Sequence, residues 1–248
     1  TNRLVGSEMC IRDSSDIGDW IMYDLDGGTT WGANAVDFEN ESYVGTGIIY
    51  NQALATPTGG PIPEWDTFQG EQGLYFVASG ANSTTFPNDD WMISPEFSLS
   101  GITSPIFSMK AKSVNDTYGL ERFQIAVGTS TDYNDFTVIS DGAYIEAPTD
   151  WTTYEFDLSE YEGQNIRIAI HYVGNDSFVL QTDSFKVEGT LGIGENEISD
   201  FEYFYNPYND ILNVNSTEIL RNIQLYNVLG QKIIDEKINN YSYQINLG

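Results

Sequence analysis

The chain has 248 residues with 37 Asp and Glu against 10 Lys and Arg, a formal charge of −27 that repels phosphate backbones and anionic lipid surfaces and so excludes nucleic acid as a natural partner. Hydrophobic residues at 40% and aromatics at 14% exclude a disordered acidic tail. One cysteine, Cys10, excludes an internal disulfide, and with His171 as the one histidine a Cys/His zinc site or a His-dependent triad has little to build on. The length suits one large domain and a small one, and no apolar run of about 18 residues is present to span a bilayer.

In chain order, the opening TNRLVGSEMCIRDS lacks the basic, apolar and small-residue regions of a signal peptide. It resembles translated adapter sequence, so residues 1–14 are read as a non-native leader and set aside from the fold. From Trp20 onward, short runs of β-branched and aromatic residues alternate with Gly, Asn, Asp and Pro, the pattern of antiparallel β structure. Strands are predicted at Trp20–Tyr23, Gly47–Tyr50, Gly73–Ala78, Trp91–Ile93, Ile106–Ala111, Phe123–Thr129, Phe136–Ile139, Thr152–Asp157, Ile166–Val173 and Phe178–Val187. Phe123, Ile125 and Val127 share one face, as a half-buried sandwich strand requires. The expected fold is all-β, two packed sheets forming a jelly roll or similar sandwich over residues 15–190.

Residues 191–199, glycine-punctuated and acidic, read as a linker. A second unit from residue 200 carries short strand runs at Phe201–Tyr205, Ile211–Val214, Asn222–Tyr226, Gln231–Ile234 and Tyr241–Ile245. The chain stops inside the last of these, so both ends read as fragment ends.

Asp24-Leu25-Asp26-Gly27-Gly28 places carboxylates at i and i+2 before a glycine turn, a geometry suited to an oxygen-liganded Ca²⁺ loop, although no complete EF-hand loop follows. A second acidic knot, Asp89-Asp90, precedes Trp91, and Asp183 stands alone in an apolar strand. A carboxylate there must be hydrogen-bonded, paired or metal-bound, and metal is the expected answer, giving Asp24, Asp26, Asp89, Asp90 and Asp183 as candidate ligands of a structural Ca²⁺. Trp31, Tyr43, Trp65 and Tyr118, in or beside loops, are candidates for stacking on sugar rings, set against the plainer reading that loop aromatics cap a sandwich edge. Glu121-Arg122 reads as a surface ion pair opening a strand, and His171 as a strand histidine facing solvent or a loop. Paired acids also suit glycoside hydrolysis, but 37 acids produce close pairs by chance and single out no catalytic residue.

The series Asp24-Leu25-Asp26-Gly27, Asn88-Asp89-Asp90-Trp91-Met92-Ile93-Ser94-Pro95, Leu120-Glu121-Arg122-Phe123 and Ile168-Ala169-Ile170-His171 resembles the cleaved-adhesin, or choice-of-anchor J, family over residues 16–188. The resemblance implies a calcium-binding jelly roll without catalytic residues. Tyr205-Asn206-Pro207 and Ile223-Gln224-Leu225-Tyr226-Asn227-Val228-Leu229-Gly230-Gln231-Lys232 resemble the type A C-terminal sorting domain of the type IX (Por) secretion system of Bacteroidota, an Ig-like sandwich, incomplete here. Together they imply a secreted, cell-surface, non-catalytic adhesion module for a glycan or protein ligand, with the type IX machinery as partner. The alternative is an accessory or catalytic module of a secreted polysaccharide- or protein-degrading enzyme.

Overall fold

The computed structural model describes residues 3–5, 18–39, 41–80, 87–191, 201–226 and 231–247, so Cys10 and residues 192–199 of the expected linker lie outside the described residues, while Leu191, expected to open that linker, ends a strand. The chain divides into two compact units, Thr1–Gly192 and Ile193–Gly248. The strands of the first begin with β1 (Arg3–Val5), β2 (Ile21–Asp24), β3 (Val36–Asp37), β4 (Gly47–Asn51) and β5 (Thr56–Pro57). They continue with β6 (Gln72–Val77), β7 (Asp90–Ile93), β8 (Phe97–Ser98), β9 (Ile102–Ser113) and β10 (Glu121–Gly128). The last are β11 (Thr137–Val138), β12 (Ile145–Ala147), β13 (Thr152–Asp157), β14 (Asn165–Tyr172) and β15 (Val179–Leu191).

Each run predicted in this unit is a strand. The additional strands are pieces of two or three residues, too short to carry a period of two. One of them, β1, comes from the leader set aside above and lies antiparallel to the end of β15.

Two antiparallel sheets form a sandwich, one in the order β13-β9-β15-β6-β4 and the other β11-β10-β14-β7-β2. Alternation sends Phe76, Phe107, Met109 and Leu180 from the first sheet, and Met92, Phe123, Ile125, Ile170 and Tyr172 from the second, into one shared core. In β15 an extra residue between Asp183 and Lys186 shifts the register against β9, with Ser184 at φ 54°. The bulge returns Phe185 and Val187 to the core and leaves Asp183 on the outer face. Outside the first sheet, Tyr50, Trp65, Tyr75, Val77 and Val179 make a second apolar cluster; outside the second sheet, Trp91, Ile93, Ala126 and Ala169 make a third.

The smaller unit contains β16 (Phe201–Asn206), β17 (Ile211–Tyr226) and β18 (Lys232–Asn246) in one antiparallel sheet. The five short runs expected here are therefore three strands, because β17 and β18 continue through the Asn-rich stretches that read as breaks. Register shifts between Asn215 and Leu220 and again by Asn222 absorb those stretches. The described residues of this unit form that single sheet, and a second layer of the expected Ig-like sandwich is not among them.

Candidate functional site

The pairing of β2 with β7 sets Asp24 directly opposite Asp90. Two like charges at such positions repel, so the sheet gains nothing from them by themselves. After Asp24 the chain turns through Gly27, at φ 62°, whose N–H donates to the Asp24 carboxylate at 2.6 Å. The next N–H, of Gly28, donates to Asp26 Oδ1 at 2.7 Å. A side chain at Gly28 would put its Cβ 2.4 Å from that of Ser79, so glycine is required where these segments pass. The turn thereby brings oxygens of Asp24, Asp26 and Asp90 within 4.8 Å of one another.

Ser79 and Asn88 complete the cradle. The Ser79 hydroxyl donates to Asp26 Oδ1 at 3.1 Å, and Asn88 Nδ2 lies 3.0 Å from Asp26 Oδ2 and 3.2 Å from Asp90 Oδ2. Asp90 is 2% exposed, and its Oδ1 has no hydrogen-bond partner among the described residues. Burial, followed by the charges of Asp26 and Asp24, pushes its carboxyl up to about 8. A buried, orphaned carboxylate oxygen beside two further carboxylates is a donor set for a hard cation, and Asp24, Asp26 and Asp90 are the residues that fit one.

Two other predicted ligands are elsewhere. Asp89 has its backbone at the cradle, where its N–H donates to Asp26 Oδ2 at 3.1 Å. Its carboxylate, on the other face of the strand, accepts from Trp91 Nε1 at 3.1 Å and meets His171 Nε2 at 2.8 Å. Asp183 is not in the cluster either: it accepts the backbone N–H groups of Phe68 at 2.9 Å and Gln69 at 3.0 Å, and that of Ser184. Backbone amides of a loop more than a hundred residues away satisfy this carboxylate, so the inference from its apolar surroundings to a metal does not hold.

The four aromatics proposed to stack on sugars do not form one surface. Trp65 is 2% exposed, packed against Tyr50 at 5.7 Å between ring centroids and against Phe178 at 5.8 Å. Its loop folds back onto the sheet, which local sequence does not reveal. Trp31 is half-buried against two apolar clusters, and the half-buried Tyr43 hydroxyl donates to the Thr46 carbonyl. Tyr118 is the exposed member, at 67%.

Glu121 is also corrected. It is fully buried, with Oε2 accepting from the hydroxyls of Tyr172 and Ser177, each at 2.6 Å, and Oε1 from the Phe178 N–H. Burial pushes its carboxyl up against the opposing effect of these three bonds. The surface ion pair of this strand is Arg122 with Glu146, at 3.0 Å. His171 is half-buried on the outer face of β14, stacked on Trp91 at 4.0 Å. Burial lowers its pKa, and the hydrogen bond to Asp89 partly opposes that shift. Ser79 was missed altogether, since nothing near it in sequence marks it as the residue that crosses Gly28.

Residues 203–248 match the family model of the secretion system C-terminal sorting domain. That domain marks a secreted, cell-surface protein. The K3 cleaved adhesin domain of Lys-gingipain from Porphyromonas gingivalis is similar in structure, with a TM-score of 0.50 at 12% identity over 76% of this chain and 99% of that one. The K2 cleaved adhesin domain of Lys-gingipain gives 0.47 at 16% identity over 77% and 99%. TmCBM61, solved with β-1,4-galactotriose, gives 0.43 at 11% identity over 71% and 92%. The K3 likeness is one of fold, the all-β sandwich expected from the sequence. No curated protein matches the chain. Among the described residues no helix is long and apolar enough to cross a membrane.

Proposed function

We propose that the larger unit is a non-catalytic adhesion or binding module for an extracellular glycan or protein, stiffened by calcium and delivered to the cell surface by type IX machinery acting on the tail. The observation that carries this reading is the sorting-domain match at residues 203–248, attached to a sandwich with the fold of a domain named an adhesin. The placement of the acids supports the non-catalytic part: Glu121 and Asp183 are committed to donors within the fold, and Asp24, Asp26 and Asp90 are gathered in one cradle. Asp90 Oδ1, buried without a partner, supports a cation there, and an all-oxygen donor set in an extracellular module favours calcium. The ion would supply charge neutralisation and would cross-link the β2 turn to the start of β7.

Binding of the purified chain to immobilised glycans and extracellular proteins, with no release of reducing sugar or peptide, is the expected result. Turnover that survives repurification and disappears on substitution of one Asp or Glu would instead support the enzyme-module alternative. A full-length gene lacking residues from Asp200 onward should leave its product in the periplasm, measured by fractionation and surface protease accessibility. Undiminished surface display of that deletion would remove the export role of the tail.

A further inference from the structure

The outer face of the second sheet holds a cavity of about 440 Å³ that none of the candidate residues above was expected to form, lined by Arg122, Gln124, Tyr144, His171 and Asn175 together with Pro87. We propose that it binds a neutral sugar residue of a glycan, an assignment that rests on the binding-module reading and gives it a location and a ligand class.

The floor is built by register. Gln124 of β10 and His171 of β14 are directly opposite each other, and alternation turns both outward because Phe123, Ile125, Ile170 and Tyr172 face the core. Gln124 Oε1 lies 2.7 Å from His171 Nδ1, and Gln124 Nε2 donates to the Ala143 carbonyl at 2.7 Å. The imidazole is also held by Asp89 at 2.8 Å and lies on the Trp91 ring at an interplanar angle of 16°. Both floor side chains are therefore fixed before any ligand arrives, which lowers the ordering cost of binding.

The walls decide the ligand class. The Arg122 guanidinium sits 4.3 Å over the Tyr144 ring, and Glu146 pairs with it at 3.0 Å. The cavity therefore offers no unbalanced positive charge to a carboxylate or sulfate, while the field of a chain at −27 opposes any anion. A cation would find no carboxylate among the lining residues. What remains is Tyr144, 40% exposed, the second lone pair and second N–H of the Gln124 floor amide, and the exposed amide of Asn175, which has no partner among the described residues. Planar donors and acceptors around an aromatic edge match a ring bearing hydroxyls on its rim and C–H groups on its faces. The volume lies within the roughly 300–1,000 Å³ typical of small-molecule sites.

The test titrates the full chain with neutral cello-, xylo-, manno- and β-1,4-galacto-oligosaccharides, followed by calorimetry and by tryptophan fluorescence, since Trp91 underlies the floor. Oligogalacturonate is the acidic arm. At least one neutral series should bind, and Tyr144→Ala and Asn175→Ala should each weaken it about tenfold, the loss of one ligand contact, with unchanged melting temperature. Absence of binding by every neutral series, or preference for the acidic one, would overturn the proposal. Neutral-sugar binding that survives both substitutions would remove this cavity and leave the module reading intact, whereas release of reducing sugar would overturn the module reading itself.

Discussion

Asp90→Asn is expected to melt above the unsubstituted chain in EDTA at pH 8 and below it in excess calcium. The carboxyl of Asp90 is raised to about 8 by burial first and by Asp26 and Asp24 next. An acid that holds its proton more tightly folded than unfolded contributes stability that is complete below the unfolded value near 4 and is lost as pH rises through the folded one. At pH 8 without a cation, the native cradle carries that loss, of which the repulsion across the Asp24–Asp90 pair is a part. Asparagine keeps the shape and removes the charge, a gain on the order of 2 kcal/mol, or several degrees for a domain of this size.

Calcium is expected to reverse the order. Extracellular modules bind it with dissociation constants of about 10⁻⁴ to 10⁻³ M, and at such a constant free calcium in about 100-fold excess over it would add about 2.7 kcal/mol to the native chain. The variant has lost one of the three carboxylates and gains little. Magnesium should stabilise far less, because it sheds water reluctantly and demands near-octahedral geometry. Asp183→Ala, which releases the Phe68–Gln69 loop, should lower the melting temperature and keep the calcium response. Identical melting of the native chain in EDTA, magnesium and calcium would remove the metal.

Glu121→Ala should destabilise the larger unit by about 3–5 kcal/mol in urea unfolding of the full chain. The substitution strands the hydroxyls of Tyr172 and Ser177 and the N–H of Phe178, three buried donors at about 1–3 kcal/mol each, with partial relief from water entering the space. Glu121→Gln retains an acceptor and the volume, so it should cost less. The effect should reach the cradle as well. Tyr172 packs so closely on Gly174 that a Cβ there would lie 2.2 Å from its hydroxyl, and the Gly174 carbonyl accepts the N–H of Asn88 at 2.7 Å. A loss below about 1 kcal/mol for Glu121→Ala would mean that these donors find other partners.

The strands of the larger unit were legible because alternation and glycine, asparagine and proline breaks are local. Phe123, Ile125 and Val127 share a face whatever they pack against. The Asp24–Asp26 half of the cradle was legible for the same reason, since two carboxylates two residues apart before a glycine need only their own turn. Asp90 was legible as an acid beside a strand, but its position opposite Asp24 depends on which strands pair. The misplaced residues are those whose partners lie far along the chain: Asp183 on the amides of Phe68 and Gln69, Trp65 folded onto Tyr50 and Tyr75, and Glu121 enclosed by Tyr172, Ser177 and Phe178. Sequence by itself determined an acidic, all-β, two-unit chain with a sorting tail, because composition, periodicity and short motifs are properties of neighbouring residues. Tertiary structure alone decided which carboxylates meet, which are capped by backbone amides, and where a cavity opens, because each depends on the register of strands and the return of loops, where burial makes every unpaired polar group costly.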